Sequence, residues 1–224
     1  MSVDTEARTP IRRTIPPAFT AVEILAVYAG ILRYIWRWQY SHPYAWIPLI
    51  AIVVLSHLAY RDRPGAMGLT GQELRACSRS AIPLLVIVVA GAATYGYWAQ
   101  NRLLLLLRPH AWISFAGYFI WCCFQQYLAQ SYFHRRLMKI SQTPHWASLA
   151  VALMFGGAHI PNPVLMAATL IGGFIFAEIF ARYPSIWPLA FVQAVAGVLI
   201  GILSPPGLIH DMRVGPGYFF YSGP

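Results

Sequence analysis

Few residues in this chain can do chemistry, and most of them sit inside apolar runs. Gln125, Gln126 and Gln130 lie in one such run, with His134 at its basic end. Positions 126, 130 and 134 are spaced i, i+4, i+8 and so share one face of a helix. The next run ends Phe155-Gly156-Gly157-Ala158-His159, Glu178 and Arg182 stand one turn apart, Gln193 falls mid-run, and His210-Asp211 follow the last run. Activating water for attack on a peptide carbonyl needs a carboxylate or an imidazole; a carboxamide has no useful basicity near neutral pH. The Gln stripe therefore reads first as helix stitching, where each interhelical amide bond contributes about 0.6–2 kcal/mol. Glu178–Arg182 reads as an interfacial ion pair, Glu23 has no evident partner, and His159 suits either a satisfied core imidazole or a site. Glu178, His159 and His210-Asp211 are the candidates for a hydrolytic centre. Gln126, Gln130, His159 and Gln193 among aromatics would also suit a lipid, quinone or pigment. Transport is disfavoured, because no ionisable pair lies at the centre to couple to protons.

The elements that must position these residues are membrane helices. Of 224 residues, 58% are hydrophobic and 10% charged, against roughly 25% charged in soluble domains. Too few charges remain to coat a soluble fold, which excludes an ordinary soluble enzyme, a disordered chain and a disulfide-stapled module. The fold class is all-α: a polytopic transmembrane helical bundle of about seven spans, near 18–37, 43–60, 81–98, 111–133, 146–160, 163–181 and 186–203. Residues 1–17 form a cytoplasmic arm without a signal-peptide h-region, and 204–224 form an extracytoplasmic Pro/Gly/aromatic tail. Arg8, Arg12, Arg13, Arg61, Arg63, Arg75, Arg79, Arg135, Arg136, Lys139 and Arg182 fall on one side. Arg37, Arg102, Arg108 and Arg213 fall on the other, which places the N-terminus in the cytoplasm. The net charge of +9 then belongs to basic loops against anionic headgroups rather than to nucleic acid. Trp36, Trp38, Tyr40, Tyr44 and Trp46 form an interfacial belt. Thr70 and Glu73 fit a capping box opening a short surface helix, and adjacent Cys122 and Cys123 read as buried thiols.

Residues 65–203 resemble the CPBP family (CAAX prenyl protease and bacteriocin-processing, also called Abi), which are intramembrane proteases. Phe155-Gly156-Gly157-Ala158-His159 followed by Ile160-Pro161-Asn162-Pro163 is similar to that family's Phe-x-x-x-His motif and its turn. Ser185-Ile186-Trp187-Pro188 is similar to the entry to its last motif, and Gly68-Leu69 also looks like the family. The resemblance implies a Glu-Glu-x-x-x-Arg motif where this chain reads Gln125-Gln126-Tyr127-Leu128-Ala129-Gln130. It implies His-x-x-x-Asn where this chain has Gln193 and Gly197. In the family a glutamate is thought to activate water while His and Asn hold the site and the oxyanion.

These departures remove every charge the site would carry, and they do so together. The chain is therefore expected to be a pseudoprotease whose degenerate site comprises Gln125, Gln126, Gln130, Phe155, His159, Gln193 and Gly197. Neither a cofactor nor a metal is expected, since a hard or borderline cation wants carboxylates or several imidazoles. The expected role is an accessory or scaffold subunit in a bacterial inner membrane, bound to integral membrane protein partners. Arg213, Tyr218, Phe219, Phe220 and Tyr221 of the tail are the candidate contact residues.

Overall fold

A computed structural model describes residues 15–100 and 109–220. The N-terminal arm up to residue 14, Arg102, Arg108 and Tyr221 lie outside the described residues.

The described residues are all helical, in seven principal segments. Helix α1, Pro17–Arg33, continues through a π-helical turn at Tyr34–Trp38 and a last turn at Gln39–Ser41. Helix α2 is Trp46–Ala59, α3 is Leu74–Tyr95 with a π-helical end at Gly96–Gln100, and α4 is Pro109–Gln126. Beyond Gln126 the α4 axis runs on as a π-helix, Tyr127–His134, and then as Arg135–Ile140. Helices α5, Pro144–Gly157, α6, Pro163–Arg182, and α7, Ile186–Leu203, complete the bundle. Among the described residues, four helices are long and apolar enough to cross a membrane: Pro17–Ser41, Leu74–Trp98, Pro163–Arg182 and Ile186–Leu203. At about 1.5 Å per residue, α5 is near 21 Å long, short of the ~30 Å hydrocarbon thickness.

Local sequence explains the helix starts. Thr143 accepts a hydrogen bond from Trp146 N (3.4 Å) and Asn162 accepts one from Leu165 N (3.2 Å), each just before a proline in the first turn. Helices α5 and α6 pack closely because small residues line their seam: a Cβ on Gly173 would lie 3.2 Å from Phe155 Cδ1. Two expectations need correction at α3. The helix begins at Leu74 and passes through Pro83 as one element. The Thr70–Glu73 capping box does not form: Thr70 Oγ1 turns to Gln72 Oε1 (3.5 Å), and Glu73 makes no side-chain cap. The thiols also differ from expectation, since Cys122 is buried but its neighbour Cys123 is only half-buried.

The loop between α2 and α3 is tied into the bundle. Ser131 Oγ donates to Met67 O (2.5 Å), Ile186 N to Gly68 O (3.1 Å) and Trp187 Nε1 to Leu69 O (3.3 Å). Gly68 has φ +72°, and a Cβ there would meet Phe180 Cε2 at 2.6 Å and Ser185 N at 3.0 Å. Both the backbone conformation and the space demand glycine. Gly68→Ala should therefore lower stability by about 1–3 kcal/mol. The measurement is a thermal scan in detergent with a thiol-reactive dye, which reads exposure of buried Cys77 and Cys122.

Candidate functional site

Two polar centres occupy the bundle. The first joins α4 to α7 through amides. Gln126 Nε2 donates to Gln193 Oε1 (2.7 Å), and Gln193 Nε2 donates in turn to Gln125 Oε1. Three of the sequence-derived site residues thus form one hydrogen-bonded chain. Gln130, next along the stripe, is 1% exposed, yet neither of its amide atoms meets a protein partner. His134, also buried, faces Ser148 Oγ through Nε2 (3.3 Å). Over Gly197 there is no vacant space: a Cβ would lie 2.3 Å from Tyr118 Oη and 2.6 Å from Tyr118 Cε1. The tyrosine fills the place that a longer side chain at 197 would need.

His159 stands apart from this chain. Its Nδ1 lies 2.7 Å from Phe155 O, and the Phe155 ring meets the imidazole edge-on at 5.1 Å. A carbonyl only accepts, so Nδ1 carries the proton and Nε2 is left as an acceptor. His159, Phe155 and Gln125 line one cavity of about 570 Å³ between α1, α2, α4 and α5, among Trp46, Trp121 and Leu128. Gln126, Gln130, Gln193 and Gly197 do not line it. The structure therefore brings His159 to the same cavity as Gln125, while Gln126 turns away toward α7.

The acidic candidates lie elsewhere. Glu178 Oε1 pairs with His145 Nδ1 at 3.0 Å; among the described residues the expected Glu178–Arg182 ion pair is not made. Arg182 sits one turn on, and His145 at the start of α5 makes the close contact instead. His210 is held through Tyr218 O (2.8 Å) and Gly207 O (2.9 Å), with its ring stacked on Tyr218 at 3.9 Å. The described part of the tail, up to Phe220, is tied to the bundle. Asn162 Nδ2 donates to Ile209 O (2.7 Å) and Arg213 O (3.2 Å), Gly215 N donates to Ile160 O (2.9 Å), and Val214 reaches the cavity. Of the candidate contact residues, Phe219 and Phe220 stay 66% and 73% exposed, Arg213 is exposed and Tyr218 is half-buried.

The second polar centre was not foreseen as one. Arg136 is fully buried near the N-terminal end of α1 and ion-pairs through Nη1 with Asp62 Oδ2 (2.7 Å). Its Nε and Nη2 donate to Ser56 Oγ (3.1 and 2.9 Å), whose own hydroxyl donates to Glu23 Oε1. Tyr132 Oη also donates to Glu23 Oε1 (2.8 Å), and the guanidinium lies 3.8 Å over the Tyr60 ring. Arg135 Nη2 (2.8 Å) and His57 Nδ1 (2.8 Å) complete the shell of Asp62. Glu23 thus has its partner, and Arg135 and Arg136 serve the interior rather than the headgroups. The signal was present in the sequence: Glu23 inside an apolar run required a cation or several donors.

The described residues define an all-helical membrane protein with a neutral amide chain joining α4 to α7. A family described as Rce1-like, type II CAAX prenyl endopeptidase, matches residues 107–199, which run from α4 through most of α7. On this segment, about two fifths of its length, the chain is similar to that family. No curated protein and no solved structure matches it.

Several outcomes are expected. Removing one member of a buried ion pair strands the other, so Arg136→Ala should cost about 3–5 kcal/mol in detergent unfolding. Gln193→Ala breaks two amide bonds and should cost about 1–2 kcal/mol, while Gln130→Met should be neutral or stabilising, because no protein partner is lost. Burial alone would raise the Asp62 carboxyl, but hydrogen bonds from His57, Arg135 and Arg136 outweigh it and hold it well below the usual carboxylate range. The stability Asp62 supplies is then complete above its unfolded value near pH 3.9. It is lost as pH falls from there toward the folded value. Unfolding midpoints taken from pH 7 down to 3 should show this acid-side loss, and Asp62→Asn should flatten it.

Proposed function

We propose that this CPBP-family membrane protein no longer cleaves peptides and acts as an accessory or scaffold subunit of a membrane protein complex. The carrying observation is the chain Gln126–Gln193–Gln125, in which amide donates to amide where hydrolysis would need a carboxylate. Tyr118 over Gly197 supports the same reading, because it occupies the space of a side chain that could hold an oxyanion. Every carboxylate near the bundle interior is committed: Glu23 and Asp62 to Arg136 and its neighbours, Glu178 to His145. A divergent protease built on Glu178 and His159 is disfavoured, since His159 lines the cavity and Glu178 does not.

In this reading the seven helical segments lie in a bacterial inner membrane with the N-terminus in the cytoplasm, as the distribution of arginines favours. The tail then sits outside and offers Phe219 and Phe220 to a membrane-embedded partner, while its inner side grips Asn162. The tail's fold argues against simple truncation as a test, because trimming it would also disturb the cavity that Val214 lines.

Purification of tagged protein from native membranes in gentle detergent should yield a stoichiometric membrane partner. Phe219→Ser with Phe220→Ser should lose that partner with an unchanged melting point. Purified protein should cleave a farnesylated CAAX-type peptide no faster than the His159→Ala variant does. Cleavage that disappears on His159→Ala would overturn the reading.

A further inference from the structure

The cavity has a chemistry of its own. Its volume of about 570 Å³ falls within the roughly 300–1,000 Å³ of small-molecule sites. Aromatic and aliphatic side chains make most of its wall, and no charged residue lines it among the described residues. An ionised ligand group would lie there without a counter-charge, which low-dielectric surroundings penalise by several kcal/mol. The polar side chains of the wall are mostly occupied by their own backbone: Tyr28 Oη donates to Met154 O (2.9 Å), Tyr34 Oη to Pro43 O (3.1 Å) and Gln39 Nε2 to Ile35 O. Two groups remain. His159 Nε2 is an acceptor, because Nδ1 is spent on Phe155 O. Gln125 receives the Gln193 amide on Oε1, so its own N–H groups have no protein acceptor among the described residues.

We infer that this cavity binds a neutral lipid carrying a hydroxyl group, with the hydrocarbon against Trp46, Trp121 and Leu128 and the hydroxyl donating to His159 Nε2. The Gln125 N–H groups serve the ligand's oxygen on the same wall. The requirement is for a donor: a lipid without one leaves the His159 lone pair buried and unmatched, which costs affinity. A fatty acid fails for another reason, since its carboxylate brings a charge that nothing in the wall balances. This deepens the reading above by naming what fills the former site. It rests on His159 being free of peptide chemistry, and it is read without any partner or peptide, so the two fail separately.

The test is native mass spectrometry of the full-length protein in detergent after incubation with stearyl alcohol, its methyl ether or stearic acid at pH 9. One stearyl alcohol should be retained per chain, at least tenfold more than the ether or the acid. His159→Phe should lower alcohol retention about tenfold. Leu128→Trp, which fills the cavity, should abolish it. Gln125→Leu, whose loss of one amide contact leaves the helices intact, serves as a further folded variant and should weaken retention several-fold. Equal retention of ether and alcohol, preferential retention of the acid, or unchanged retention in a folded His159→Phe protein would each overturn the proposal.

Discussion

A guanidinium cannot be buried alone, and the end of the bundle nearest the N-terminus is organised around that constraint. Arg136 is fully enclosed, so α1 contributes Glu23, α2 contributes Ser56, His57 and Tyr60, and the following loop contributes Asp62. The donors and acceptors come from several elements, and each is placed by its neighbour: Ser56 bridges Arg136 to Glu23, and Arg135 with His57 holds Asp62. Such a cluster is weak evidence of net stability, because desolvation opposes the attraction. Its effect is on geometry. Only one relative placement of α1, α2 and the end of α4 satisfies all its members, so the ions select the arrangement that apolar contacts alone would leave loose.

The amide chain solves the same problem without charge. Gln125, Gln126 and Gln193 hold α4 against α7 at a depth where carboxylates or imidazolium ions would need partners of their own. Tyr118 packs into the gap over Gly197, and the π-helical stretch Tyr127–His134 carries the axis from the neutral centre to the ionic one. One helix thus serves both centres. The cavity beside it is left apolar, with His159 and Gln125 as the polar groups of its wall that the protein's own backbone does not fully use.

Apolar runs made the helices legible in the sequence, and the motif at Phe155–His159 with its Pro-Asn-Pro turn made a family resemblance legible as well. The Gln residues were recognisable as stitches, though their partition was not: nothing in the spacing says that Gln125 faces the cavity while Gln126 faces α7. Arg135 and Arg136 were misread because a positive pair at the end of an apolar run usually meets headgroups. Only the fold brings Asp62 and Glu23 to them. Glu178 was misassigned for a simpler reason. An i, i+4 partner is visible along the chain, whereas His145 comes from another helix.

The ionic cluster also has a consequence for how the chain is made. Synthesis proceeds from the N-terminus, and 109 residues separate Glu23 from its donor Tyr132. The opening helix therefore enters the bilayer carrying an acid whose partners do not yet exist. Until α4 emerges, Glu23 has Ser56 of α2 beside it but neither Tyr132 nor Arg136. Docking of α4 then delivers Tyr132 and Arg136 to the acid in one event. The tie among α1, α2 and α4 therefore closes only after the chain has grown by more than a hundred residues beyond Glu23.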